Sequence, residues 1–261
     1  MKRIVIFLIS IVVCICIYCT YWGYNYYAPP KLQKPYLINN NLPNDTLHIA
    51  YIGDSWAFYH HDLMHKCLIE EILRKKKEQP VKVHSYGICG LTSKELYDNL
   101  YNNDFKQFFN KRRFNYCFIS AGINDTYKKM STDYYKRSMD GIIQFLLSNH
   151  IRPIILEIPD YNIYQAYEWQ TPMKKVLRRI SSLISGSKID CKQLFRNTLD
   201  ELISEKGYTN KLSIVRYETW NKAYRHDLKA IYQKDGMHLN EYGYNVLDSA
   251  IAREILRLQQ D

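Results

Sequence analysis

Outside an amino-terminal apolar run, this chain has no pair of cysteines at C-x-x-C spacing, so the usual sequence signature of a zinc or iron–sulfur site is missing. Cys67, Cys89, Cys117 and Cys191 remain in that part, and their spacing leaves disulfides undecided. Internal repeats are absent, and the only low-complexity tract is a short tyrosine-rich stretch, which rules out repeat architectures. Acidic residues are outnumbered, 26 against 36 Lys and Arg, for a formal charge of +10. No RNA- or DNA-binding motif accompanies that excess, so no nucleic-acid partner is expected. The short basic clusters 74–77, 111–113 and 128–129 leave two readings: an anionic partner such as lipid head groups or an acidic glycan, or solvated helix ends.

Charge is missing altogether from Ile4 to Trp22, just after Lys2 and Arg3. A helix of that length spans roughly 28 Å at about 1.5 Å per residue, close to the thickness of a bilayer core. No small-x-small cleavage site follows it, and no small residue precedes Cys14, Cys16 or Cys19. The reading is therefore an uncleaved single membrane span, with a cleaved signal peptide as the alternative. The flanking cations, Lys2 and Arg3 against Lys31 and Lys34, place the amino terminus inside and the remainder on the extracytoplasmic side. YWGYNYYAPP reads as an aromatic belt at the membrane surface, leading into a stalk. The expected division is a tail at 1–3, an anchor at 4–22, a Tyr/Pro-rich stalk at 23–46 and one globular domain at 47–261.

Within that domain, short β-branched or apolar runs alternate with segments of helical period. This is the pattern of a parallel sheet covered by helices on both faces. The strand candidates are 47–52, 81–86, 115–121, 152–158 and 212–217, and the helix candidates 57–77, 93–109, 132–149, 173–185, 191–205 and about 240–258. Ligands of such sheets sit at the carboxyl ends of the strands, where strand order reverses. Gly53-Asp54-Ser55 ends the first strand, Gly87–Gly90 the second and Gly122–Asn124 the third, while Asp235–His238 precedes the last helix. A serine hydroxyl becomes a nucleophile when a histidine takes its proton and a carboxylate orients that histidine. All three residue types are present in a workable order.

The segments YIGDSWA, YGICGLTS, ISAGINDTY and KDGMHLN resemble the successive blocks of the SGNH or GDSL-type hydrolases over residues 47–258. The resemblance implies a three-layer α/β/α flavodoxin-like fold with a five-stranded parallel sheet. It implies Ser55 as nucleophile, Asp235 and His238 as the rest of a catalytic triad, and Ser55, Gly90 and Asn124 as oxyanion donors. Trp56 stands where Leu is common, and Ser85-Tyr86-Gly87 where many members carry Asn. No metal or organic cofactor is needed for the implied ester chemistry.

Structural readings compete with these roles. Ser55 serves equally well as the N-cap of the following helix, Asp54 as a loop brace, Gly87 and Gly90 as turn residues, and Asn124-Asp125 as turn formers. His60, His61, His65, His84, His150 and His226 read as helix-surface or loop residues. G-D-S-W-A also approximates the G-x-S-x-G elbow of α/β-hydrolases, but in that fold several strands precede the serine.

For the substrate, Trp56, Tyr161 and Tyr164 are candidate contacts. The aromatics of 161–169 either stack on sugar rings or form the apolar side of a helix, and the 24 tyrosines against 9 phenylalanines do not separate the two. No long apolar lid is evident. The expected partner is an acylated carbohydrate or other small ester, with O-acetyl esters of an envelope or capsular polysaccharide preferred. Carbohydrate acyl transfer, lysophospholipase or thioesterase action, and a non-catalytic carbohydrate-binding role are the alternatives, and the oligomeric state is open.

Overall fold

Runs rich in Ile, Val, Tyr and Phe favour extended backbone, and those buried on both faces read as nearly unbroken apolar stretches. In the computed structural model, which describes residues 2–38, 45–63, 67–76, 79–185 and 188–260, five such runs pair as parallel strands. They are β1 (Leu47–Gly53), β2 (Val81–Gly87), β3 (Phe114–Ser120), β4 (Arg152–Leu156) and β5 (Ser213–Val215). Their order is β2-β1-β3-β4-β5, so the direction of winding reverses beside β1. Pairing continues to Gly53↔Gly87 on one side of β1 and Gly53↔Ser120 on the other. The carboxyl ends of the three strands carrying the first three motifs are thereby level.

The helices are α1 (Lys2–Tyr27), α2 (Ser55–Leu63), α3 (Leu68–Lys76), α4 (Ser93–Asn99), α5 (Asn103–Asn110), α6 (Ile123–Lys128), α7 (Thr132–Ser148), α8 (Ile163–Glu168), α9 (Pro172–Ser185), α10 (Lys192–Glu205) and α11 (Glu241–Leu258). Helices α2, α3 and α11 pack together along one side of the sheet, and α4, α7 and α10 form the other layer. With right-handed crossovers, this is the three-layer flavodoxin-like arrangement expected. Because Ser55 follows the first strand, the α/β-hydrolase alternative does not describe it.

Several boundaries differ from the sequence reading. The helix expected over 57–77 is two helices, and His65 and Lys77 lie outside the described residues. A new helix begins at Leu68, whose N–H donates to Asp248 Oδ2 at 3.2 Å. The helix expected over 93–109 is also two, the first opened by a reciprocal capping box between Thr92 and Glu95, a T-x-x-E pattern. Strand β5 is cut short because the Tyr217 N–H turns to Glu157 Oε2, 2.8 Å away, and leaves the sheet. Short helices α6, absent from the sequence reading, and α8, one of the two readings of 161–169, occupy loops above the strands.

Helix α1 holds an apolar segment, Ile6–Tyr27, long enough to cross a membrane and unburied by the rest of the chain; a span and a signal sequence share these properties. The segment after it does not stand off as the expected stalk. The Gln33 N–H donates to Tyr97 Oη at 2.6 Å and Tyr36 Oη donates to Leu100 O at 2.9 Å. The Tyr36 ring lies against Phe145 and Tyr101. Asn149 Oδ1 receives the Ile38 N–H at 2.7 Å while its Nδ2 donates to Tyr36 O and Phe145 O. Residues 39–44 of that stretch lie outside the described residues.

Buried backbone groups stripped of a partner cost about 1–3 kcal/mol each, and Asn149 satisfies two of them in the connecting segment. Asn149→Ala is expected to release residues 28–38. Limited proteolysis should cut there several times faster than in the wild type, and an unchanged cleavage rate refutes this clamp.

Candidate active site

The turn after β1 decides where the Ser55 hydroxyl points. Asp54, not Ser55, caps α2: its Oδ1 accepts the Trp56 N–H at 3.0 Å, the usual work of an Asp N-cap. Ser55 thus becomes the first helical residue with its hydroxyl released from capping. That hydroxyl meets His238 Nε2 at 3.0 Å, across 183 positions of sequence. The other ring nitrogen, Nδ1, meets Asp235 Oδ2 at 2.5 Å. Asp235 Oδ1 in turn receives the Met237 and His238 N–H groups at 2.9 and 3.0 Å. The structure therefore brings Ser55, His238 and Asp235 into one hydrogen-bonded line at the carboxyl edge of the sheet.

The loop bearing His238 is braced as a small hairpin. Tyr232 bridges to Leu239 in antiparallel fashion, the Gln233 N–H donates to His238 O at 2.7 Å, and the Tyr59 ring meets the imidazole edge-on with centroids 5.3 Å apart.

Two further motifs close on this edge. Asn124, at the start of α6 and 7% exposed, donates from Nδ2 to Asp54 Oδ2 at 3.0 Å, and its second amide hydrogen has no partner among the described residues. Asp125 receives the Ser93 N–H at 2.8 Å and its hydroxyl at 2.6 Å, and Lys128 Nζ donates to Gly90 O at 2.7 Å. These contacts tie α6 to the loop after β2. That loop is also held to the first strand, where the Ile88 N–H donates to Gly53 O at 3.2 Å. Gly90 has φ +80, in the region that disfavours side chains. At Gly87 a Cβ would run into the backbone of Asp54 and Phe58, so glycine lets α2 approach β2.

Burial lifts the Asp54 carboxyl from 3.8 to about 7, against the lowering effect of its hydrogen bond from Trp56 and of His238. Burial likewise lifts Asp125 to about 6. At Asp235 partial burial also acts upward, but the hydrogen bonds from the His238 ring and from the Met237 and His238 N–H groups outweigh it and hold the carboxyl at about 2. Of the two acids beside the serine and histidine, the enclosed one favours its proton and the open one its charge.

Some expected residues lie elsewhere. Trp56 is fully buried between Trp220 and Tyr232, and Tyr161 is buried with its hydroxyl on Thr126 Oγ1 at 2.7 Å; both are core residues and neither presents a face to a substrate. Tyr164 is exposed on α8. His60 is not a surface residue: it is buried, with Nε2 on Asp248 Oδ1 at 2.8 Å and Nδ1 on Ser85 Oγ at 3.2 Å. Nor are Lys128 and Lys129 a solvated helix end, since Lys128 braces Gly90 and buried Lys129 donates to Ile189 O. His60, Cys67 and Asp248 set one ligand atom each within 4.8 Å of one another, a grouping able to hold a cation that C-x-x-C spacing does not reveal. The bracing roles of Asp125 and Lys128 were also missed; the only local signal was their place next to Asn124.

No protein-family model and no curated protein matches the chain. Solved structures do share its fold. A lipase/acylhydrolase from Enterococcus faecalis superposes with a TM-score of 0.52 at 17% identity, covering 80% of this chain and 95% of that one. A GDSL-like lipase from Bacteroides thetaiotaomicron gives 0.50 at 17% identity, with 80% and 88% covered. An acetyl xylan esterase gives 0.54 at 15% identity, with 78% and 98% covered. The chain has the fold of the GDSL hydrolases, as the four motifs led one to expect.

A carboxyl raised by burial favours its protonated form in the folded state. As pH rises from about 4, the unfolded chain ionises Asp54 first, so this group's share of stability falls until about pH 7 and then levels off. The thermal midpoint is expected to decline between pH 5 and 8, and Asp54→Asn to decline less steeply. Parallel curves for the two proteins refute the assignment of that slope to Asp54.

Proposed function

We propose that this chain is a serine esterase that forms an acyl-enzyme on Ser55. The observation carrying this reading is the continuous line Ser55 Oγ, His238 Nε2, His238 Nδ1, Asp235 Oδ2. His238 accepts the hydroxyl proton as Oγ attacks the ester carbonyl, and hands it to the departing alcohol oxygen when the C–O bond breaks. Water then attacks the acyl carbon as His238 takes its proton, and His238 returns that proton to Ser55 Oγ as the acyl–Oγ bond breaks and the carboxylic acid leaves. Asp235 stays ionised throughout; its low pKa suits it to fix the ring tautomer and to stabilise the imidazolium. Negative charge on the former carbonyl oxygen is met by the Ser55 N–H, the Gly90 N–H and the free hydrogen of Asn124 Nδ2. Each well-aimed donor contributes about 3 kcal/mol.

The substrate we infer is a short-chain ester, preferably an O-acetyl group on an envelope or capsular carbohydrate. One solved structure of this fold is an acetyl xylan esterase, and no long apolar lid covers the site among the described residues. We read 4–22 as a single-pass anchor and 47–261 as the catalytic domain on the extracytoplasmic side. The length of α1 and the cations in its first turn, Lys2 and Arg3, support that reading.

Full-length protein is expected to hydrolyse aryl acetates and to lose at least about 10³-fold of its rate in Ser55→Ala. Equal rates in the two proteins, or no labelling of Ser55 by a fluorophosphonate, sink the proposal and favour a binding role. In Asn124→Ala, kcat should fall roughly 10²-fold with little change in KM, the pattern of a donor that acts on the transition state. A change confined to KM argues for a ground-state contact.

A further inference from the structure

Helix α9 carries an apolar stripe that none of the described residues covers. Met173, Val176, Leu177, Ile180 and Leu183 recur at three- and four-residue steps, which places them along one side of a helix. All five are exposed, Met173 to 69% and Leu183 to 82%. Lys174, Lys175 and Arg179 are the exposed cations of the same helix, which has no acidic residue. Its other side is held down: Arg178 donates to Lys128 O at 3.0 Å and lies over the Tyr127 ring. Beside α9 a groove of about 720 Å³ opens, lined by aromatic and aliphatic side chains such as Tyr167 and Leu183, by the cations Lys175, Arg179 and Lys188, and by one acid, Glu168. Trp169, just before the helix, is 68% exposed.

A stripe of aliphatic side chains bordered by cations matches the layered chemistry of an anionic bilayer surface, acyl chains beneath phosphates. The neighbouring element carries the same chemistry further. Helix α9 touches α1 at its aromatic carboxyl end, where Tyr27 Oη and Ser181 Oγ are 3.3 Å apart. Trp22, Tyr26 and Tyr27 cluster there, residues that favour the depth of lipid head groups. Lys94 Nζ, donating to Asn25 O at 2.8 Å and Ala28 O at 2.9 Å, fixes the end of α1 to the domain. A second copy fits less well, because a two-fold pairing of this face would bring its exposed cations towards their own copies.

We propose that α9 and its groove lie in the surface of an anionic lipid bilayer, the one that α1 enters; the second clause rests on reading α1 as an anchor. The loop bearing Asp235 and His238 then sits one helix away from lipid. Helix α8 spans that gap, with the Asn162 N–H donating to Gly236 O at 2.9 Å and Gln165 Nε2 to Lys234 O at 2.5 Å. The domain works with its catalytic edge held at a set height beside the membrane surface.

The test uses the full chain in phosphatidylcholine vesicles with and without fluorescent phosphatidylglycerol. A photoreactive p-benzoylphenylalanine replaces Leu177, Ile11 or, as background, Leu194, which is exposed on α10. Position 177 is expected to label phosphatidylglycerol well above position 194. The added changes Lys174→Glu, Lys175→Glu and Arg179→Glu should cut that yield at least about fivefold and leave position 11 unchanged. Labelling at 177 no higher than at 194, or cross-links from 177 only into protein or a second copy, overturns the proposal. Position 11 reports on α1 alone: lipid labelling at 11 but not at 177 removes the surface contact and keeps the anchor. Labelling at 177 but not at 11 upholds the surface contact and removes the anchor.

Discussion

Asp54 is the constraint from which the site is built. Its one carboxyl group caps α2 through the Trp56 N–H and holds the Asn124 amide, so it sets the relation between the first and third strand ends. Had Ser55 been the cap, its hydroxyl would have been spent on a backbone N–H and unable to face His238. A capping residue one place earlier converts an ordinary strand-to-helix turn into one that presents a serine. The burial this requires is unfavourable to a charged carboxyl, and the raised pKa of Asp54 is the consequence.

The two acids near the serine and histidine differ in their surroundings. Asp54 is enclosed under α2 and α6; Asp235 sits in an open hairpin and receives three hydrogen bonds. The first suits a brace and the second a permanent negative partner for an imidazolium. Around them, Ser93 with Asp125 and Gly90 with Lys128 bind the loop after β2 to α6. The proposed oxyanion donors, drawn from two such loops, would depend on this kind of cross-bracing, because catalysis by preorganised dipoles tolerates little loss of alignment.

The amino-terminal part of the chain belongs to the same mechanical unit. Residues 33–38 are held to α4, α7 and their neighbours by the contacts of Tyr36 and Asn149, and the end of α1 is held by Lys94 and Ser181. These contacts hold α9 and the groove beside it next to the aromatic end of α1.

Much of the architecture was legible in the sequence. The strands were readable because burial on both faces writes itself as short β-branched runs, and the site because residues at consecutive strand ends in a parallel sheet share one edge. Ser55, Gly90 and Asn124 could be placed together on that logic, whereas Asp235 and His238, which follow no strand, were joined to them only through the resemblance of their block to the GDSL pattern. Local pattern did not disclose partners far away in sequence. Leu68 starts a helix because Asp248 receives its N–H, His60 is buried because the same Asp248 pairs with it, and Trp56 and Tyr161 belong to the core because other elements close over them. The exposed stripe of α9 follows the same rule in reverse: its period marks an apolar face, but only the tertiary structure decides that no part of the fold covers it. Periodicity and order are properties of neighbouring residues and travel with the chain, whereas burial and hydrogen-bond partners are set by where distant segments finally meet.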